Sequence, residues 1–209
     1  MPILIFSKKG ERMCQNVNEH NTCIYICYLI AFYTPKMYNK NTNDKKGGYM
    51  KDLTFDGDFG KFNVRVAVLV EHADKLLVQT EGNNHWLIGG RIHFGENSMQ
   101  AVLREISEEL CYKVSDQDSL KLNFICENFF MWDKIPCHEH LFIYRLILSD
   151  DSELIHRDGF KCGDNDRFTE KWIDFDELKN TNLVPQFIPE HIKHREFKYC
   201  IIRNGKVVD

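Results

Sequence analysis

The sequence is short of several features that would assign it to common classes. It has no apolar run long enough to span a bilayer as a helix, since the one candidate, Cys23 to Tyr33, is eleven residues long. Lys8, Lys9 and Arg12 precede that run as they would in a signal peptide. However, no clean small-residue cleavage site follows, only Pro35-Lys36 and an Asn/Lys tract. Paired cysteines are also missing. The eight cysteines are scattered without CxxC spacing, Cys23 and Cys27 standing four apart and the others isolated. That argues against a zinc site or disulfide framework and for free thiols in a reducing cytoplasm. Nor is there an excess of one charge: a net charge of -4 gives no electrostatic reason to bind nucleic acid or an acidic membrane.

What remains is an ordinary soluble globular composition, 43% apolar and 28% charged, in a 209-residue chain long enough for one domain with a full core. The polar stretch 38–49 has the composition of a flexible linker. Lys45-Lys46-Gly47-Gly48-Tyr49-Met50 back-translates to a run containing AGGAGG just ahead of ATG, a bacterial ribosome-binding arrangement. Translation is therefore expected to begin at Met50. Residues 1–49 would be a non-native or disordered extension, and 50–209 a single domain.

Beyond Met50 the apolar pattern alternates. Phe62, Val64, Val66, Val68 and Val70 share one face of a strand, and a turn at His72-Ala73-Asp74 leads into Lys75–Gln79, together reading as a hairpin. Trp86-Leu87-Ile88 run into Gly89-Gly90, a place for an abrupt turn. Asn97 with Gln100 forms a capping-box signal. The helix that follows carries an apolar stripe of Met99, Val102, Leu103, Ile106 and Leu110. Leu122 to Phe130 and His140 to Leu148 read as strands, Ser149 to Arg167 as a polar loop, and Trp172-Ile173 as the end of a last strand. Asp174 with Glu177 signals a further helix, and another is expected around Pro189 to Arg195. Strands interleaved with a few helices give a mixed α/β class.

The chemistry concentrates on the first helix. Glu105, Glu108 and Glu109 fall at i, i+3 and i+4 and so form one strip beside the apolar stripe. Three neighbouring carboxylates repel one another and resist joint ionisation. A hard divalent cation removes that conflict: Mg2+ takes a few carboxylates together with water and phosphate oxygens. The competing reading is a solvated acidic face.

The wider segment resembles the Nudix box, G-x5-E-x7-R-E-U-x-E-E-x-G-U with U apolar. Gly90, Glu96, Arg104, Glu105, Ile106, Glu108, Glu109 and Tyr112 occupy its slots. Cys111 stands where that family has glycine, at a helix end that often needs a left-handed residue. Ile88 stands where many relatives have proline. The resemblance implies an α/β/α sandwich around a mixed sheet, with a core from about Phe62 to Leu178. It implies a Mg2+-dependent hydrolase, with Mn2+ as an alternative, cutting a pyrophosphate bond in a nucleotide-like small molecule. Glu108 and Glu109 would bind the metal, and Glu105 would bind it or act as general base. The Gly90 or Gly89 carbonyl would complete the shell, and Glu96 and Arg104 would pair structurally. One later carboxylate, Glu139 or Glu170, would assist. A non-catalytic, ligand-binding regulator on the same fold is the alternative, and a homodimer stays open.

Arg65 and Arg91 are candidates for substrate phosphate, with plain surface charge the equal reading. In His138-Glu139-His140 the two histidines share a strand face while Glu139 points away, so the trio is read as an ordinary strand segment. Glu127 is read as an exposed carboxylate. Phe129, Phe130 and Trp132 are read as core or rim. Isomerisation of an isoprenoid diphosphate finds no support, because no cysteine can be placed in a pocket.

Overall fold

The computed structural model describes residues 51–160 and 167–208, and the backbone of residues 5–6 and 12–13. The Cys23–Tyr33 run, the 38–49 linker and most of the expected extension lie outside these residues. The chain divides into two units, Met1–Gly47 and Gly48–Asp209. Of the first, a short antiparallel pair is described, β1 (Ile5–Phe6) with β2 (Arg12–Met13).

The second unit is built on one mixed ten-stranded sheet. Its elements are β3 (Thr54–Gly57), β4 (Gly60–His72), β5 (Lys75–Glu81), β6 (Asn84–Trp86), α1 (Ser98–Leu110), β7 (Ser119–Trp132), β8 (Ile135–Ile147), β9 (Thr169–Asp174), β10 (Asn182–Val184), α2 (Ile188–His191), β11 (Lys198–Arg203) and β12 (Lys206–Val207). The order across the sheet is β10-β6-β5-β4-β8-β7-β11-β12, with β3 on β4 and β9 on β5. β4 runs parallel to β8 from Lys61↔Cys137 to Glu71↔Ile147, and the β7–β8 hairpin is antiparallel.

Alternation along the strands produces two cores. Val66, Val68 and Val70 of β4 meet Val102, Ile106 and Leu110 of α1 on one face. Leu69, Phe124 and Ile143 meet Leu178, Leu183, Phe187 and Ile188 on the other. Each fully buried aliphatic side chain contributes roughly 1.5–3 kcal/mol, so both layers hold the sheet. The result is the α/β class that the pattern implied, built on the mixed sheet that the resemblance implied.

Several details differ from expectation. On α1 the buried stripe runs through Ala101, Val102, Glu105, Ile106 and Leu110, while Met99 and Leu103 are exposed. The helix expected after Asp174 is only a 3-10 turn at Leu178–Asn180, without a side-chain cap at Glu177. Leu178 drops into the core and the chain must at once reach β6 to form β10, which leaves no room for more. The expected helix around Pro189–Arg195 is the short α2. β3 and β10 to β12 lie outside the 62–178 core. Cys111 is disulfide-bonded, against the expectation of thiols throughout. Among the described residues no helix is long and apolar enough to cross a membrane.

Candidate active site

The site begins where the sheet opens. β4 pairs with β5 only from Val70 to His72, and the strands then part. The segment Ile88–Ile92 fills the gap: the Val68 N–H donates to Ile88 O, Val66 N–H to Gly90 O, and Ile92 N–H to Val64 O. The two glycines make this possible. At Gly89, φ is 147° and a Cβ would lie 2.3 Å from Val66 O. A Cβ on Gly90 would lie 2.2 Å from Glu105 Oε1. Only backbone without side chains can pass between the strand and the glutamates.

Helix α1 delivers the carboxylates to this turn. Its start is fixed by a reciprocal capping box: Gln100 N–H donates to Asn97 Oδ1 and Asn97 N–H to Gln100 Oε1, each at 2.9 Å. Its end is fixed by Cys111 in the left-handed region, φ 46° and ψ 42°, as the glycine slot of the motif implied. Between these caps, Glu105 is buried, Glu109 is half-buried and Glu108 is exposed.

The Gly89 N–H donates to Glu109 Oε2 at 2.9 Å. Burial outweighs that bond and one from Gln79, and pushes the Glu109 carboxyl up to about 7, with the nearby Glu105 charge adding to the rise. Burial likewise raises Glu105, opposed by its contact with Arg104. Arg104 donates to Glu96 Oε1 at 2.9 Å and Oε2 at 3.1 Å, a two-point clamp, and to Arg91 O at 2.9 Å. It also reaches Glu105 at 2.7 Å and Glu108 at 3.0 Å. Glu96 in turn accepts the His93 N–H at 3.0 Å, closing the loop onto the helix.

The remaining candidates separate. Arg65 lies on the opposite face of β4 from the valines, 3.5 Å from Gly89 O and 4.0 Å from Glu139. Glu139 is buried beside it, within reach of the Asn128 amide at 3.4 Å. Glu170 is buried directly across from Gln79 in the β5–β9 ladder, hence on the Glu109 side. Arg91 instead pairs with Asp52 at 3.0 Å. Gln79 was not singled out in the sequence; a buried polar residue inside a strand of valine and leucine was the available signal.

The donor set suits a hard cation. It is all oxygen, it brings carboxylates to a turn with no Cβ in the way, and burial raises the proton affinity of two of them. The Gly90 carbonyl already accepts the Val66 N–H and keeps one further lone pair.

A family model described as the NUDIX domain matches residues 61–194. Among solved structures, the chain is similar to a mutator MutT protein from Bacillus halodurans, with 16% identity over 70% of this chain and 95% of that one and a TM-score of 0.53. A NUDIX hydrolase from Nitrosomonas europaea has 14% identity over 97% and 94%, with a TM-score of 0.43. An Ap4A hydrolase from C. elegans has 17% identity over 58% and 86%, with a TM-score of 0.39. The likeness of fold rests on the first of these. No curated protein matches the chain.

Proposed function

The chain belongs to the NUDIX-domain family, and from that membership we propose that it is a divalent-cation-dependent hydrolase. Its substrate would be a nucleoside diphosphate linked to a second group, cut at the pyrophosphate to give a nucleoside monophosphate and the phosphorylated second group. The observation that carries this reading is the pair of desolvated glutamates, Glu105 and Glu109, held against the Gly89-Gly90 backbone. Glu108 and Glu109 would hold Mg2+ or Mn2+, which when bound shares the phosphate charge and acidifies water, and Glu105 is left to act as base.

The chain's own residues do the positioning. Gly89 N–H and Gln79 orient Glu109. Glu96 fixes Arg104, which keeps Glu105 and Glu108 from splaying apart. Glu105, with its raised proton affinity, suits the role of base. It takes a proton from the attacking water as that oxygen joins one phosphorus and the bridging oxygen leaves with the other. Arg65 is placed to meet phosphate charge beside Gly89. Arg91, tied to Asp52, is left to hold the loop. Of the two later carboxylates, Glu170 is the better placed to assist, through Gln79.

A panel of nucleoside triphosphates, ADP-ribose and nucleotide sugars, assayed for phosphate products with Mg2+, tests this reading. Glu109→Gln should lower turnover at least about a hundredfold, while Glu177→Gln, at an exposed carboxylate, should not. Equal turnover in the two variants refutes the mechanism. Nucleotide binding without turnover by the unaltered protein would favour the regulator.

A further inference from the structure

We propose that Glu127, His138 and His140 form a second metal site, for a borderline transition-metal dication such as Zn2+ or Ni2+. One donor atom from each of the three residues lies within 4.8 Å of the others. The ladder explains why: Glu127 of β7 stands directly opposite His140 of β8, and Phe129 opposite His138. All four side chains therefore project from one face, while Glu139 projects from the other beside Arg65. The sequence shows the two histidines but not their third partner, which comes from the neighbouring strand.

The surroundings hold these donors in place. The Tyr199 hydroxyl donates to Glu127 Oε1 at 2.8 Å, orienting the carboxylate and leaving its second oxygen for a cation. Phe129 stacks on the His138 ring at 4.3 Å and 24°. Phe62 meets both imidazoles edge-on, at 5.4 and 5.2 Å. His138 Nε2 is shielded from water and has no hydrogen-bond partner. Such a nitrogen loses its solvation without compensation, and a metal bond would supply it. Two imidazoles and one carboxylate match the ligand preference of Zn2+ and Ni2+, whereas Mg2+ prefers oxygen alone. Three protein ligands also leave a position for water.

The test uses the full chain, stripped with chelator, in a Glu109→Gln background that weakens the glutamate strip. Calorimetric titration with Ni2+ and with Zn2+, in the presence of excess Mg2+, should show one bound ion and a higher melting temperature. Adding Glu127→Gln or His140→Gln should weaken that binding by at least about 10–100-fold, the loss that removing even an outer-shell partner causes, with the metal-free melting temperature little changed. Glu127→Gln keeps the side chain's size, so it covers the case in which His140→Gln fails to fold. Absence of binding, loss of binding to Mg2+, or equal affinity with and without Glu127→Gln would each overturn the site.

Discussion

The proton affinity of Glu109 gives the metal-free protein one strong dependence on pH. Its carboxyl is pushed from 4.5 to about 7, so the folded chain holds that proton more tightly than the unfolded chain does. The resulting stabilisation is complete below about pH 4.5 and is lost as pH rises through about 7, with a full extent of about 3 kcal/mol. Glu105 shifts in the same direction. In chelator, the difference in melting temperature between the unaltered protein and Glu109→Gln should therefore grow across that window, the variant becoming the more stable at pH 8. Divalent cation should reverse the order by stabilising only the protein that binds it. Parallel melting curves at every pH would show that Glu109 is not desolvated.

At the scale of elements, α1 depends on its ends. Asn97→Ala removes the side-chain half of the capping box and should cost about 1 kcal/mol, lowering the melting temperature by about 2–4 °C. An unchanged melting curve would mean that water replaces the cap. This helix was legible in the sequence because its signals are local: Asn97 and Gln100 sit three apart, and Cys111 falls in the slot where the motif has glycine. The β4–β5 hairpin was legible for the same reason, with Ala73 and Asp74 at positive φ in its turn. β10 to β12 were not, because such short strands are specified by the partners they reach. Cys200 and Ile202 are buried where β11 lies beside β7 and faces the core. Within the site, the spacing of α1 gave the glutamate strip. Gln79 and the position of Glu170 beside it needed the β5–β9 register, and the position of Glu127 opposite His140 needed the β7–β8 register.

For the molecule as a whole, the first described residues of the second unit, Lys51 to Leu53, are tied into the site. The Leu53 N–H donates to Ile92 O and the Phe94 N–H to Lys51 O, while Asp52 pairs with Arg91. These contacts brace the loop that leads into α1. A chain beginning at Met50 should therefore be as soluble and active as the full-length protein. One beginning at Thr54 should lose about 1–3 kcal/mol and much of its turnover. Aggregation or inactivity of the Met50 chain would assign residues 1–49 a structural role.

The parallel alignment of β4 with β8 also has a kinetic consequence. Lys61 meets Cys137 and Glu71 meets Ile147 only after the chain has passed through β5, β6, α1 and β7. The central pairing thus closes a long loop that contains every member of the glutamate strip, and such closure is slow, on the scale of about milliseconds to seconds. Until it completes, α1 lacks much of the apolar surface that buries it. Glu105 and Glu109 then sit in water with ordinary acidity. The raised proton affinity of those side chains should therefore arise late in refolding, together with the sheet.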